Sequence, residues 1–208
     1  MENILDVYKR PHDPLNPVVC MDESPKQLIS ETREPLPISP GFDKKCDYEY
    51  ARCGVCNIFM VNEPLAGKRF VKITDRKTKK DWAELVREIA DDLYPKAKSI
   101  TLVMDNLSTH SAAALYETFE PVEAKRIWDR FEFVYTPKHG SWLNMAEIEL
   151  NVLSKQCLSR RIDKKDKIVS EVTAWQNSRN NKDTTINWHF TTEDARIKLH
   201  RLYPSIND

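Results

Sequence analysis

Apolar positions change period along the chain, and the changes divide it into elements. In PVVCMDES (17–24) Val18, Cys20 and Asp22 share one strand face while Val19, Met21 and Glu23 share the other, so both faces are apolar until the carboxylates arrive. This predicts a buried strand that ends in an acid. Residues 48–61 and 69–74, rich in aromatic and β-branched side chains, read as two more strands, joined by NEPLAGK, whose Pro64 and Gly67 suit a turn. Over 78–94 the period lengthens: Trp82, Leu85, Val86, Ile89 and Leu93 form a helical stripe that Pro95 stops. SITLVMD (99–105) is a second buried strand ending in acid. Residues 111–130 read as one or two helices broken at Pro121, 131–137 as a fifth strand and 142–159 as a helix.

The ends are less regular. Pro11, Pro14 and Pro17 punctuate a stretch of little periodicity, so residues 1–16 are expected to be an extended arm or linker remnant. Pro25, Pro35, Pro37 and Pro40 leave 24–46 without a readable element. Residues 17–165 form the expected main domain, and 166–208 a mostly helical extension packed on it. Three strands, then helix, strand, helix, strand, helix, is the order of an α/β domain with a mixed five-stranded sheet flanked by helices.

Composition narrows the class. At 208 residues and 40% hydrophobic content the chain can bury one large core, and four glycines against twelve prolines with 31% charged residues describe an ordered protein. No stretch is long and apolar enough to span a bilayer, and MENILDVYKRPHD has no signal-peptide core, so a cytoplasmic protein is expected. Five cysteines, an odd number at irregular spacing, argue against a disulfide framework. Cys53 and Cys56 form a CxxC that lacks the second ligand pair zinc would need. The formal charge is zero, yet basic residues gather in 68–80 and 154–167, where Lys68, Arg69, Lys72, Arg160 and Arg161 are candidate phosphate contacts.

The chemistry is in the acids. Asp22 and Asp105 each follow a buried strand, and ligands in open α/β sheets bind beyond strand ends. Two adjacent carboxylates repel, a conflict that a hard divalent cation resolves. A third carboxylate from a helix would complete a two-metal site for phosphodiester chemistry. HGSWLNMAEIELNVLSKQ (139–156) offers Glu147 and Glu149.

VVCMDES, LVMDNLSTH and YTPKHGSWLNMAEIE resemble the three acidic motifs of DDE transposases of the mariner-type superfamily, in its bacterial insertion-sequence branch. The third is the most specific. Its Leu143-Asn144 pair lies before Glu147 at the family spacing, so the resemblance assigns the third acid to Glu147 and leaves Glu149 as a solvated or paired charge. It spans about residues 17–160. It implies a ribonuclease-H-like fold, two Mg²⁺ or Mn²⁺ ions held by Asp22, Asp105 and Glu147, and cleavage and transfer of DNA strands at transposon ends and target. Family members also carry helix-turn-helix end-recognition modules, for which the chain has no room before Asp22, so it reads as a catalytic half. A homodimer and a separate or missing recognition module are the further partners this allows. The rivals are a structure-selective nuclease on the same fold and an inactive remnant that only binds DNA or a partner.

Several neighbours have plain structural readings. Asn144-x-x-Glu147 is a capping-box spacing. Asn106 and an exposed His110, which family members often share, read as a cap and a surface side chain, His139 as a loop histidine, and Trp142 as core packing.

Overall fold

The computed structural model describes residues 1–43, 45–138 and 140–203; His139 lies outside the described residues. In chain order the elements are α1 (Glu2–Tyr8), β1 (Val18–Glu31), β2 (Tyr50–Glu63), β3 (Lys68–Thr74), α2 (Lys79–Glu88), β4 (Ile100–Met104), α3 (Ala112–Thr118), α4 (Pro121–Trp128), β5 (Phe131–Tyr135), α5 (Met145–Gln156), α6 (Lys165–Asn180) and α7 (Thr192–Lys198). The five strands form one sheet in the order β3-β2-β1-β4-β5. β1, β2 and β3 are an antiparallel meander, while β4 and β5 run parallel to β1.

Strand alternation divides the core into two layers. Val19, Met21, Phe59, Val61, Leu102 and Met104 face α2, α3 and α4, where Trp82, Leu85, Ala114 and Ile127 cover them. Cys20, Ile58, Met60, Val103 and Val134 face the other way, against α1, α5, α6 and α7. α2 starts at Thr78 in a capping box with Asp81 and runs on into a π-helical turn over Ile89–Leu93, the end of the expected 78–94 helix. β3, an edge strand, is closed by α6: the Asn180 amide exchanges hydrogen bonds with the Arg69 main chain and Gln176 Oε1 accepts from Val71 N–H. No helix among the described residues is long and apolar enough to cross a membrane.

Two expectations are corrected. Residues 1–16 are not all extended: Ile4, Leu5 and Val7 of α1 are buried in the core, and burial rather than length holds so short a helix. β1 does not end at its acid but continues through Glu31, including Pro25, paired throughout with β2. Its pairing with β4 stops at Cys20, so beyond that point the side of β1 away from β2 has no strand neighbour, and a residue lacking an N–H can be placed there.

Candidate active site

The parallel ladder between β1 and β4 ends with Cys20 opposite Val103. Asp22 and Asp105 each lie two residues further on, where the ladder has opened. By alternation they continue the face of Cys20 and Val103, the face that α5 covers. α5 carries Glu147 in its first turn. Strand register and helix packing thereby place Asp22 and Glu147 in the lining of one groove, with Asp105 near enough for its charge to act on Asp22.

One side chain ties the strand to the helix. Asn144, 1% exposed, caps α5 by accepting from Ala146 N–H at 3.1 Å through Oδ1, while its Nδ2 donates to the Met21 carbonyl at 2.8 Å. It thus fixes the residue before Asp22 to the turn before Glu147. The capping-box spacing is not used as one: Asn144 Oδ1 caps Ala146 N–H, while Glu147 N–H donates to the Asn144 carbonyl. From the other side, Tyr8 of α1 donates to the Leu143 carbonyl at 2.7 Å and accepts from Met145 N–H at 3.4 Å.

Asp22, Glu23, Ser24, Ser141, Glu147 and Asn151 line a groove of about 380 Å³, with no basic side chain among its described lining residues. Burial pushes the Asp22 carboxyl up to about 7, opposed by a hydrogen bond from Glu23 N–H at 2.8 Å and reinforced by the charges of Asp105, Glu23 and Glu147. Asp105 is not part of the groove lining, but its charge is the foremost of these three influences on Asp22. Glu147 Oε2 is a buried oxygen without a hydrogen-bond donor among the described residues, while Asp105 Oδ1 and Glu23 Oε2 are buried oxygens that face only the ring nitrogens of His110, at 2.8 and 3.5 Å. A raised Asp22 carboxyl under the charges of Asp105 and Glu147, beside a buried Glu147 oxygen short of donors, fits a hard divalent cation.

Two residues at the site were underestimated from sequence. His110, expected at the surface, is 2% exposed and lies between Asp105 and Glu23. Burial disfavours its charge, but hydrogen bonding to Asp105 and Glu23 outweighs this and raises its pKa to about 9. Glu23, the neighbour of Asp22, turns to the other face of β1, where Lys77 Nζ is 3.7 Å from its second oxygen. The signal available in the sequence was DNLSTH itself, a loop short enough to return a ring onto its own first residue. Trp142 is not core: it is 43% exposed and rests edge-on against Phe190 and beside Trp188.

Glu149 is fully buried at 0% exposure. Arg69 donates to it through Nε at 2.8 Å and Nη2 at 3.0 Å, and Arg179 through Nε at 2.9 Å and Nη2 at 3.0 Å. Burial would raise its carboxyl pKa, but the two guanidinium groups hold it below the usual range. Arg69 is 4% exposed and committed to this pair, so it is not available to a phosphate. Lys68 pairs with Asp183, Lys72 with Glu88 at 2.6 Å, Arg160 with Glu171, and Arg161 with Glu31. Arg161 also donates to the carbonyls of Asp47 and Glu49, which makes it a brace for the β1–β2 arm.

A family model described as DDE superfamily endonuclease matches residues 17–169. No curated protein matches the chain in sequence. Among solved structures, the mariner Mos1 paired end complex with Mg is 15% identical, with a TM-score of 0.63 over 98% of this chain and 62% of that chain. The Mos1 mariner paired end complex with Mn is 16% identical, with a TM-score of 0.59 over 88% of this chain and 54% of that one. The catalytic domain of Mos1 mariner transposase alone is 12% identical, with a TM-score of 0.51, covering 88% of this chain and 87% of its own. The chain therefore spans a little over half the length of the Mos1 chains in the paired end complexes. At these identities the likeness establishes the ribonuclease-H-like fold.

Proposed function

The chain belongs to the DDE superfamily of endonucleases, and from that membership we propose that it is the catalytic domain of a DNA transposase, cleaving strands at the ends of an element and joining them to a target. The observation that supports this reading most is that Asp22 and Glu147 line one groove, with no basic side chain among its described lining residues, and that the charges of Asp105 and Glu147 both act on Asp22, whose carboxyl is pushed up to about 7.

Asp22, Asp105 and Glu147 are the residues that would hold two Mg²⁺ or Mn²⁺ ions. Such ions supply a nucleophilic oxygen at neutral pH and neutralise charge on the leaving oxygen of a phosphodiester. The chain's own part is orientation. Asn144 holds the Glu147 turn against β1, and Tyr8 holds the same turn from the far side. Ser24, Ser141 and Asn151 give the groove a polar wall beside the acids, suited to a sugar-phosphate backbone. The resemblance of the motifs to the bacterial insertion-sequence branch supports a prokaryotic-type element as the substrate. Lys68, Lys72 and Arg160 are surface cations whose carboxylate partners a phosphate could displace, and a second copy of the chain and a helix-turn-helix reader belong to the same proposal.

The test is a labelled-end assay with Mg²⁺ or Mn²⁺, comparing the wild-type chain with Asp105→Asn. Nicked and strand-transferred products that vanish in the variant support the reading. Metal-dependent nicking without transfer would instead indicate a nuclease, and cleavage that survives Asp105→Asn would overturn the site.

A further inference from the structure

Asp105 lies one residue past the end of β4, on a loop, where no ladder hydrogen bond fixes its main chain. A carboxylate so placed needs an anchor if it is to present one orientation. His110 Nδ1 is 2.8 Å from Asp105 Oδ1 and 3.1 Å from the Asp105 carbonyl, so one ring nitrogen meets both the side chain and the main chain of the same residue. The other nitrogen, Nε2, faces Glu23 Oε2 at 3.5 Å. The ring cannot turn freely. It stacks on Trp82 at 5.6 Å with planes 26° apart, its carbonyl accepts from Tyr135 O–H at 3.1 Å, and its N–H donates to Leu107 at 2.9 Å.

We propose that His110 is a positioning residue for Asp105, and that Glu23 holds His110 in turn, so that the Asp105 carboxylate is offered to a divalent cation in one orientation. This rests on the reading of Asp105 as a metal ligand. One ligand atom from each of Glu23, Asp105 and His110 lies within 4.8 Å of the others, which could also describe a separate metal site. The ring argues against that, because it turns one nitrogen to each carboxylate, and a cation taken by either nitrogen would part it from one of them. Outer partners of this kind orient a ligand without touching the metal, and their loss typically costs about 10- to 100-fold in metal affinity.

The experiment is Mn²⁺ titration calorimetry on the chain without DNA, with melting of the metal-free protein measured alongside. An asparagine amide nitrogen falls near the position of imidazole Nδ1, and a glutamine amide nitrogen near that of Nε2. His110→Asn therefore keeps the donor to Asp105, and His110→Gln loses it. The two remove similar packing against Trp82, so their Tm values should fall alike. His110→Gln should bind Mn²⁺ about tenfold or more weakly, while His110→Asn stays within about threefold of wild type. Equal affinities in the two variants, whether both retained or both lost, would overturn the proposal. If neither variant folds, Glu23→Gln leaves the ring in place and should weaken Mn²⁺ binding by about threefold or more; an unchanged affinity overturns the role given to Glu23. In foldable variants a double-mutant cycle separates relay from direct charge: the effect of Glu23→Gln should vanish in the His110→Gln background, and additive losses would sink the relay. Asp105→Asn is the control for the premise. If wild type fails to bind Mn²⁺, or Asp105→Asn binds as tightly as wild type, the metal reading of the site falls first.

Discussion

Glu147 and Glu149 sit two residues apart on α5, about 200° around the helix axis at 100° per residue, and meet opposite environments. Glu149 turns into the layer between β3 and α6, where Arg69 and Arg179 supply four hydrogen bonds. Glu147 turns toward Asp22 in a groove with no cation among its described lining residues, and one of its oxygens is buried without a donor among the described residues. Both are glutamates on a helix that Asn144 pins to the sheet. One carboxylate is matched from within the chain, and so contributes to the fold without any added ligand. The other leaves its charge unmatched, which weakens the metal-free fold and reserves the site for something the chain does not contain.

The sharpest way to break this contrast is to make the same substitution at both positions. Glu149→Gln leaves two guanidinium groups facing a neutral amide in a buried layer, and removing one partner of a buried pair costs about 3–5 kcal/mol. For a chain of this length that lowers Tm by about 6–20 °C. Glu147→Gln, by contrast, should leave Tm unchanged or slightly raised in the metal-free protein and abolish metal-dependent cleavage. Thermal melts of both variants in chelator check it; equal losses of stability would mean that Glu147 is also a structural acid.

pH should pull the two clusters in opposite directions. The folded-state pKa of Asp22 is raised to about 7, so the folded metal-free protein binds more protons than the unfolded chain between about 4 and 7, and stability falls as pH rises through that window. The effect is at most about 4 kcal/mol before solvent screening. The folded-state pKa of Glu149 is lowered, so its contribution is present above the unfolded glutamate range and is lost as pH falls through the folded value. Urea unfolding in chelator from about pH 2.5 to 8 should show Asp22→Asn removing the decline toward neutral pH and Glu149→Gln reducing the decline below the ordinary glutamate range. Mn²⁺ should raise stability at pH 8 in the wild type and in Glu149→Gln but not in Asp22→Asn, as a ligand that binds the folded state.

Asn144 is the part shared by both clusters, since it sets where α5 begins. Asn144→Ala removes a buried bond to Met21 and the cap, and should cost about 1–3 kcal/mol while weakening Mn²⁺ binding. A variant that loses stability but keeps full Mn²⁺ affinity would show that Glu147 finds the site without the strap. The smallest effect is expected at the exposed pair of Arg160 with Glu171, where Arg160→Ala should change stability by about 1 kcal/mol or less. If the residue contacts a phosphate, the slope of log affinity for duplex DNA against log salt should fall by about one unit. An unchanged slope removes Arg160 from the DNA surface.

Patterning was legible wherever an element is long or bounded by strong punctuation. Trp82 to Leu93 and Ile100 to Met104 could be read because period and stop signals agree. α1 could not, because three apolar residues before a run of prolines carry too little periodicity to separate a docked helix from a tail. β1 was cut short because Pro25 reads as a breaker unless one knows which side of the strand lacks a neighbour. The acids were visible because each stands next to a strongly patterned element. The pairing of Arg69 was not: its partner is 80 residues away, and a basic run such as 68–80 looks the same in sequence whether its arginine faces solvent or a buried glutamate.

The bond from Tyr8 to the Leu143 carbonyl also has a consequence in time. α1 is seven residues long, too short to persist alone, and Arg196 and Thr192 of α7 reach back to Glu2 and Asp6. Contacts spanning more than 180 residues are the slowest to close, and they cannot form while a nascent chain is still missing its later helix. The sheet and the α2–α4 layer can therefore assemble first, with the turn before Glu147 still unbuttressed on its Tyr8 side. Nuclease competence would then arrive late, when residues 192–198 dock, so that an incompletely made chain has little opportunity to cut DNA.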